Sequence, residues 1–446
     1  MSLPAAIVRE IENPAPPASM RALPLRVVDG FSPPIPPMIY IGIEDQVRGL
    51  DLGDPALPTR FVHRTGGVER MWLCGGVLVV PSLERIDAID ARTGAAIWSL
   101  RQDETLHVCH GVLGGVLLVT QRRGDDRVTL SGIEPLTGRE VFARDFSGAD
   151  YAPQPRPTAT DLLLTRTQEG GPTTLLRIDP LTGRTTAAIG LGAELQQAAK
   201  APPEVIQSPL LLQRFFADAE RIYVPLDGAL RGDGAPALIA MAMDGSVAWQ
   251  WTGKQGQSLA MEALRDGRIA LIAGGAPARG GRPAVLGEAF VLDAKTGAQV
   301  RTIGLGNDIQ VLNWRRLRTD APSPERLLLS DLDPDNGDRR LVCLPLQDGE
   351  EPFQTPAGSS SEDVLRTPWI RDGLLVYATQ SRRSTGPVRL YALRTADRSS
   401  ALPGGKTSLV VAATPRSAHE LATAEAYTVL VTDSRLFLFG AGEEPK

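Results

Sequence analysis

The stretch GGVLVVPSLERIDAIDARTGAAIWSL, Gly75 to Leu100, decides the fold. An apolar run, Val77 to Val80, follows a Gly-Gly pair. A second run ends in Asp90, two residues precede Thr93-Gly94, and a third run carries Trp98. Each part has a mechanical reason. An Asp side chain accepts backbone N–H groups in an Asx-type turn. The Gly takes the positive φ that other residues adopt only at a cost. The aromatic four residues on then faces a neighbouring unit. Apolar residues outnumber those of a half-exposed strand, so both faces of the unit are expected to be covered.

Working outward, the same grammar recurs. GGVLLVTQRRGDDRVTLSGIEPLTGREVF runs from Gly114 to Phe142, DLLLTRTQEGGPTTLLRIDPLTGRTT from Asp161 to Thr186, and EAFVLDAKTGAQVRTIGLG from Glu288 to Gly306. The turn glycines are Gly94, Gly138, Gly183, Gly245, Gly297 and Gly349, at spacings of 44, 45, 62, 52 and 52. A repeat in the forties with about four strands per unit predicts a β-propeller. The longer spacings hold insertions, notably Gly192 to Ala219, where ELQQAAK predicts a short helix, and Ala276 to Leu286. Hairpin units lacking a clean Thr-Gly lie near Ile39 to Leu52, Leu374 to Leu393 and Thr428 to Phe439. Every candidate together makes nine. A ring closes most simply with the terminal segments sharing one blade, so the expectation is an all-β fold, a single closed β-propeller of about eight four-stranded blades, with seven and nine left open. Residues 1–37 are proline-rich and are expected to form an extended N-terminal arm, part of it an edge strand; residues 38–446 form the propeller.

Ala88, Asp90, Thr93, Gly94 and Trp98 reproduce the pattern A-x-D-x-x-T-G-x-x-x-W. It resembles the tryptophan-docking repeat of the quinoprotein alcohol dehydrogenases and of the outer-membrane assembly propeller lipoprotein. Glu134, Thr137, Gly138 and Phe142 follow it with substitutions; Asp179, Thr182 and Gly183, and Asp293, Thr296 and Gly297, keep its turn; Gly245 and Trp249 keep its second half. The resemblance covers roughly residues 38 to 440 and implies the PQQ-like repeat scaffold. The family's enzymes also share an adjacent Cys-Cys pair, a tryptophan floor under the quinone and a calcium held by carboxylate and amide groups. Cys74, Cys109 and Cys343 are far apart, and no segment presents the calcium ligands. No cofactor is therefore expected, and the repeat residues themselves speak only of structure.

Composition narrows the partners. The net charge is -5, with Lys+Arg 47 against Asp+Glu 52 and no long basic run, so nucleic acid is not expected. The odd, dispersed cysteines and the absence of a leader-like N-terminus or an apolar span predict a cytoplasmic protein without a membrane span, read as monomeric.

Candidate chemistry is sparse. His107, Cys109 and His110 are the densest metal-capable cluster, with His107 and Cys109 on one face of a strand; a closed zinc site wants three or four ligands, and packing is the competing reading. His107 is the best candidate for a catalytic proton carrier. Asp331, Asp333, Asp335 and Gly337 resemble a calcium loop, but Asn336 and Val342 stand at its key positions, and Asn336-Gly337 reads as a hairpin turn. No metal site is expected. Segments ahead of each repeat's first apolar run bring Arg70, Trp72, His107, Arg214, Trp314, Arg316, Trp369 and Arg371 toward the axis, where they form a candidate binding funnel; the alternative is that the aromatics pack between blades. Three functions follow from this reading. One is a non-catalytic scaffold that binds a protein or peptide partner through loops and channel mouth. The second is a cofactor-free hydrolase, lyase or isomerase at the channel. The third, least supported, is a quinone-dependent dehydrogenase. Whether the chain is an enzyme stays open, with the balance toward no.

Overall fold

The computed structural model describes residues 7–440 apart from connections, the longest being 13–24, 28–37, 52–58, 148–155, 167–173, 207–214, 276–286, 313–325 and 401–408. Two strands come from the proline-rich arm, β1 (Ile7–Glu12) and β2 (Leu25–Val27). The first sheet holds β3 (Met38–Ile43), β4 (Gln46–Asp51) and β5 (Thr59–Arg64). The second holds β6 (Met71–Cys74), β7 (Val77–Pro81), β8 (Arg85–Asp90) and β9 (Ala96–Arg101), with β2 added beside β6. The third is β10 (Leu106–Leu113), β11 (Val116–Arg123), β12 (Arg127–Ile133) and β13 (Glu140–Ser147). The fourth is β14 (Arg156–Pro157), β15 (Leu162–Arg166), β16 (Thr174–Ile178) and β17 (Thr185–Gly190). Two short helices follow, α1 (Ala193–Ala199) and α2 (Pro203–Ile206), where the sequence predicts one.

The fifth sheet is β18 (Phe216–Ala217), β19 (Arg221–Leu226), β20 (Ala237–Ala242) and β21 (Val247–Thr252). The sixth is β22 (Gln257–Arg265), β23 (Arg268–Gly275), β24 (Glu288–Asp293) and β25 (Gln299–Gly304). The seventh is β26 (Asn307–Val311), β27 (Arg326–Leu332), β28 (Arg339–Pro345) and β29 (Phe353–Gly358). The eighth contains β30 (Glu362–Val364), β31 (Trp369–Arg371), β32 (Leu374–Ser381), β33 (Val388–Arg394) and β34 (Leu409–Ala412). The terminal sheet is β35 (Ala418–Ala424), β36 (Tyr427–Thr432) and β37 (Arg435–Gly440), completed by β1 from the other end of the chain. The protein is all-β, built mainly of four-stranded antiparallel meanders.

Among the described residues these make nine sheets, where the terminal segments are expected to merge into one. They do not merge. The Met38–Asp51 hairpin recruits β5 and stands alone, while the last three strands take their fourth from farther upstream, Ile7–Glu12, in register Val8↔Phe439.

Successive sheets stack face to face. In β7 all five residues are buried, and alternate side chains serve different neighbours. Leu78 and Val80 join Met38, Tyr40 and Phe61 of the first sheet, while Val77 and Val79 join Val112, Leu117 and Val119 of the third. The same arrangement links third to fourth, fourth to fifth, fifth to sixth, sixth to seventh and seventh to eighth. A sheet covered on both faces explains why these strands read as continuous apolar runs.

Candidate functional site

The turns between third and fourth strands set the geometry of the stack. Asp90 accepts N–H groups from Arg92 (3.0 Å) and Thr93 (2.8 Å) and the Thr93 hydroxyl (2.9 Å); Thr93 Oγ1 in turn accepts the Ala95 N–H. Asp293 repeats the arrangement with Lys295 and Thr296. Gly94, Gly138, Gly183 and Gly297 have φ between 67 and 73. Burial raises the Asp90 carboxyl, but the Thr93 and Arg92 donors outweigh it and hold it below its usual range. For Asp293 the Thr296 hydroxyl and N–H dominate, with the same net direction.

Four residues after each glycine, the fourth strand reaches the next sheet. A Cβ on Gly138 would stand 2.7 Å from Trp98 Cγ, and one on Gly297 2.6 Å from Trp249 Cε3, so each indole lies flat against the following turn. Trp98 Nε1 donates to Pro135 O (2.8 Å) and Trp249 Nε1 to Ala294 O (3.0 Å), both three residues before a turn glycine. The Tyr40 hydroxyl makes the matching bond to Ala91 O (2.9 Å) at the first joint. Phe61 and Phe142 pack on Gly94 and Gly183 without a donor. Arg301 fills the position at the sixth joint and reaches Pro345 O (3.0 Å). Register explains the reach. The ladder passes from Ala88↔Trp98 to Ile89↔Ala96, so Ile97 is a bulge residue; Val141, Ala248 and Val300 are skipped in the same way. The bulge turns its own residue outward, leaving Ile97, Val141 and Val300 exposed, and aims the next one at the neighbour.

At the fourth sheet the docking position is Ala187, too small to bridge the joint. The insertion replaces it: Leu195, Ala199 and Ile206 are fully buried among residues of the fourth and fifth sheets.

Of the residues expected to form a binding funnel, the structure describes Trp72, His107, Trp369 and Arg371. Trp72 is 1 % exposed and packs between the second and third sheets, so it is core and no accessible lining. Among the described residues its buried Nε1 has no hydrogen-bond partner. His107 lies on β10, its backbone opposite Gln121; Trp369 and Arg371 lie on β31, paired with β32. Arg70, Arg214, Trp314 and Arg316 lie outside the described residues. The alternation that puts His107 and Cys109 on one face stops at a bulge, because the register shifts between Cys109 and Gly111. His110, the skipped residue, pairs its Nε2 with Thr120 Oγ1 at 2.8 Å, while Cys109 packs at the edge of the core between second and third sheets. Among the described residues no three His, Cys, Asp or Glu side chains gather as a metal site. The cysteines sit on β6, β10 and β28, in three different sheets, and burial pushes the Cys343 thiol up to about 12. These donors do not supply the adjacent pair of a quinone centre.

The Asp331 region is a turn and a strut. Asp331 is fully buried, accepts Arg340 through both carboxylate oxygens (2.7 and 2.8 Å) and takes the Gly306 N–H (2.6 Å). Asp333 accepts the Asp335 N–H (2.9 Å), and Gly337 has φ 74.

Sequence reasoning missed two leucines. Leu136 and Leu181 sit two residues before Gly138 and Gly183, in the Pro-Leu-Thr-Gly turns of adjacent sheets, 48 % and 50 % exposed. The turn is closed by the carboxylate and the threonine: the Thr137 hydroxyl donates to Glu134 Oε2, and the Leu181 N–H to Asp179 Oδ1. The equivalent residues elsewhere are Arg92 and Lys295. The turn itself therefore makes no demand for an apolar side chain. The signal was available in the aligned turns.

The family model described as outer membrane protein assembly factor BamB matches residues 82–401. No curated protein sequence matches the chain. Similar solved structures include BamB from Moraxella catarrhalis (12 % identity, 83 % of this chain and 96 % of that one, TM-score 0.41). They also include the quinohemoprotein alcohol dehydrogenase from Comamonas testosteroni (11 %, 99 % and 77 %, TM-score 0.42) and the WD40 domain of SCAP from fission yeast (8 %, 98 % and 98 %, TM-score 0.42). Among the described residues no helix is long and apolar enough to cross a membrane. With a family model spanning most of the chain, and a turn-and-dock unit recurring from sheet to sheet, the protein belongs to the PQQ-like repeat β-propeller family of the BamB type.

Proposed function

We propose that the chain is a non-catalytic scaffold that binds a protein partner through its turns and loops, and that its sheets close into a ring in which each is a blade. The supporting observation is the pair of half-exposed leucines, Leu136 and Leu181, on neighbouring Thr-Gly turns where the other two Thr-Gly turns carry Arg92 and Lys295. The recurring aromatics and glycines are engaged in joining one sheet to the next, so they leave recognition to such variable positions. Covering two half-exposed leucines contributes about 2 kcal/mol. The family description, an assembly factor, names a protein that works on other polypeptides.

Within this reading Arg70, His107, Arg214, Trp314, Arg316, Trp369 and Arg371 remain candidate contacts at the channel mouth, and the protein is placed in the cytoplasm as a monomer. The test is capture of a partner from the native host, wild type against Leu136→Asp/Leu181→Asp. A reproducible partner lost in the variant supports the reading; the same partner recovered equally by both contradicts it. Recovery of the protein from the membrane fraction contradicts the compartment.

A further inference from the structure

The second sheet has a strand that its repeat does not supply. β2 runs parallel to β6 on the edge opposite β9, in register Leu25↔Met71, Arg26↔Trp72 and Val27↔Leu73. β2 also lies close to β35, the first strand of the terminal sheet. Among the described residues, the first strands β10 and β22 carry no such addition. Without β2, the β6 edge would present unpaired N–H and C=O groups, the template onto which another chain can add as a strand.

The backbone ladder that holds the occupant is short. A three-residue parallel ladder supplies few bonds, each worth about 1 kcal/mol net, and parallel pairing is slightly the less stable kind. A tether adds to the ladder. β1, just upstream, is locked by a six-residue antiparallel ladder to β37, so β2 meets its edge at an effective concentration on the order of millimolar. A segment held by proximity is replaceable by one that binds better than that concentration.

We propose that the β6 edge is an acceptor for an extended partner segment of apolar-basic-apolar sequence, added as a fifth strand, and that Leu25–Val27 is its resident internal ligand. Main-chain bonds supply the affinity, and alternate side chains the selectivity. The inference rests on the protein-binding reading for the class of partner, at a surface separate from the leucine turns.

The experiment uses the full chain and a fluorescein-labelled peptide of residues 24–30, PLRVVDG. Arg26→Pro fixes φ in the middle of the three-residue strand near −65°, away from the extended value of a parallel ladder at about −120°, and leaves β1 in place. Anisotropy is expected to show saturable binding to Arg26→Pro at least ten-fold tighter than to wild type, and ten-fold tighter than a scrambled peptide of the same composition. Amide exchange of Met71–Cys74 is expected to quicken in the variant and slow again when the peptide is added. Should Arg26→Pro not fold, Val27→Gly carries the same comparison with a weakened occupant. Equal peptide binding by wild type and variant, or no binding with unchanged exchange, overturns the proposal. Because the probe is the chain's own segment, either result is independent of whether the leucine variant keeps or loses its partner.

Discussion

Gly138 and Gly115 have similar backbones, φ 73 and 83, but different surroundings. A Cβ at Gly138 meets Trp98, whereas at Gly115 no atom of the described residues comes within 4 Å. Gly115→Ala is therefore expected to cost only the left-handed backbone, about 1 kcal/mol. Gly138→Ala adds displacement of the indole, for a total of about 3 kcal/mol. Denaturant midpoints of the two variants measure the difference. The turn carboxylates carry a pH signature. Asp90 and Asp293 titrate below the usual carboxylate range in the folded chain, so their contribution is complete above the unfolded pKa and fades as pH falls through the folded value. Asp293→Asn is expected to be less stable than wild type at about pH 6 and to converge with it at about pH 2, read by thermal unfolding across the range. At this scale the sequence was most legible, because Asp, Thr and Gly act within a few residues of one another. Trp72 was not legible. In a strand buried on both faces, alternation does not say which face looks to a channel and which to a neighbour.

At the scale of the element, each joint is a fourth strand docked on the next turn. Trp98→Phe keeps the ring and loses the bond to Pro135 O, and is expected to cost about 1 kcal/mol. Trp98→Ala also empties the contact with Gly138 and is expected to cost about 3 kcal/mol. The fourth joint depends instead on α1. Leu195 is fully buried there, and Leu195→Ala is expected to cost about 3 kcal/mol, measured by urea unfolding, although the helix is an insertion outside the repeat. The helix was readable from ELQQAAK, and the docking position from the spacing after each glycine. The bulges at Ile97 and His110 were not, because a bulge is defined by the partner strand and a single strand's sequence does not carry it.

At the scale of the whole molecule, the ends of the chain meet. β1 supplies the last strand of the terminal sheet, and β2 lies against β6 and β35. The prolines of residues 1–37 announced an arm, but a strand's partner at the far end of the chain leaves no local trace, and the expected merging of terminal segments placed the junction one hairpin too late. Removing residues 1–12 exposes the β37 edge. The shortened protein is expected to unfold at lower temperature and to self-associate, as light scattering after size exclusion reports. The most direct measurement of the account is an experimental density map of the intact chain. It predicts nine sheets around one axis, the terminal sheet seated against the Met38–Arg64 sheet with Ile7–Glu12 at its edge. An open arc with those two sheets apart, or two separate bodies, contradicts it.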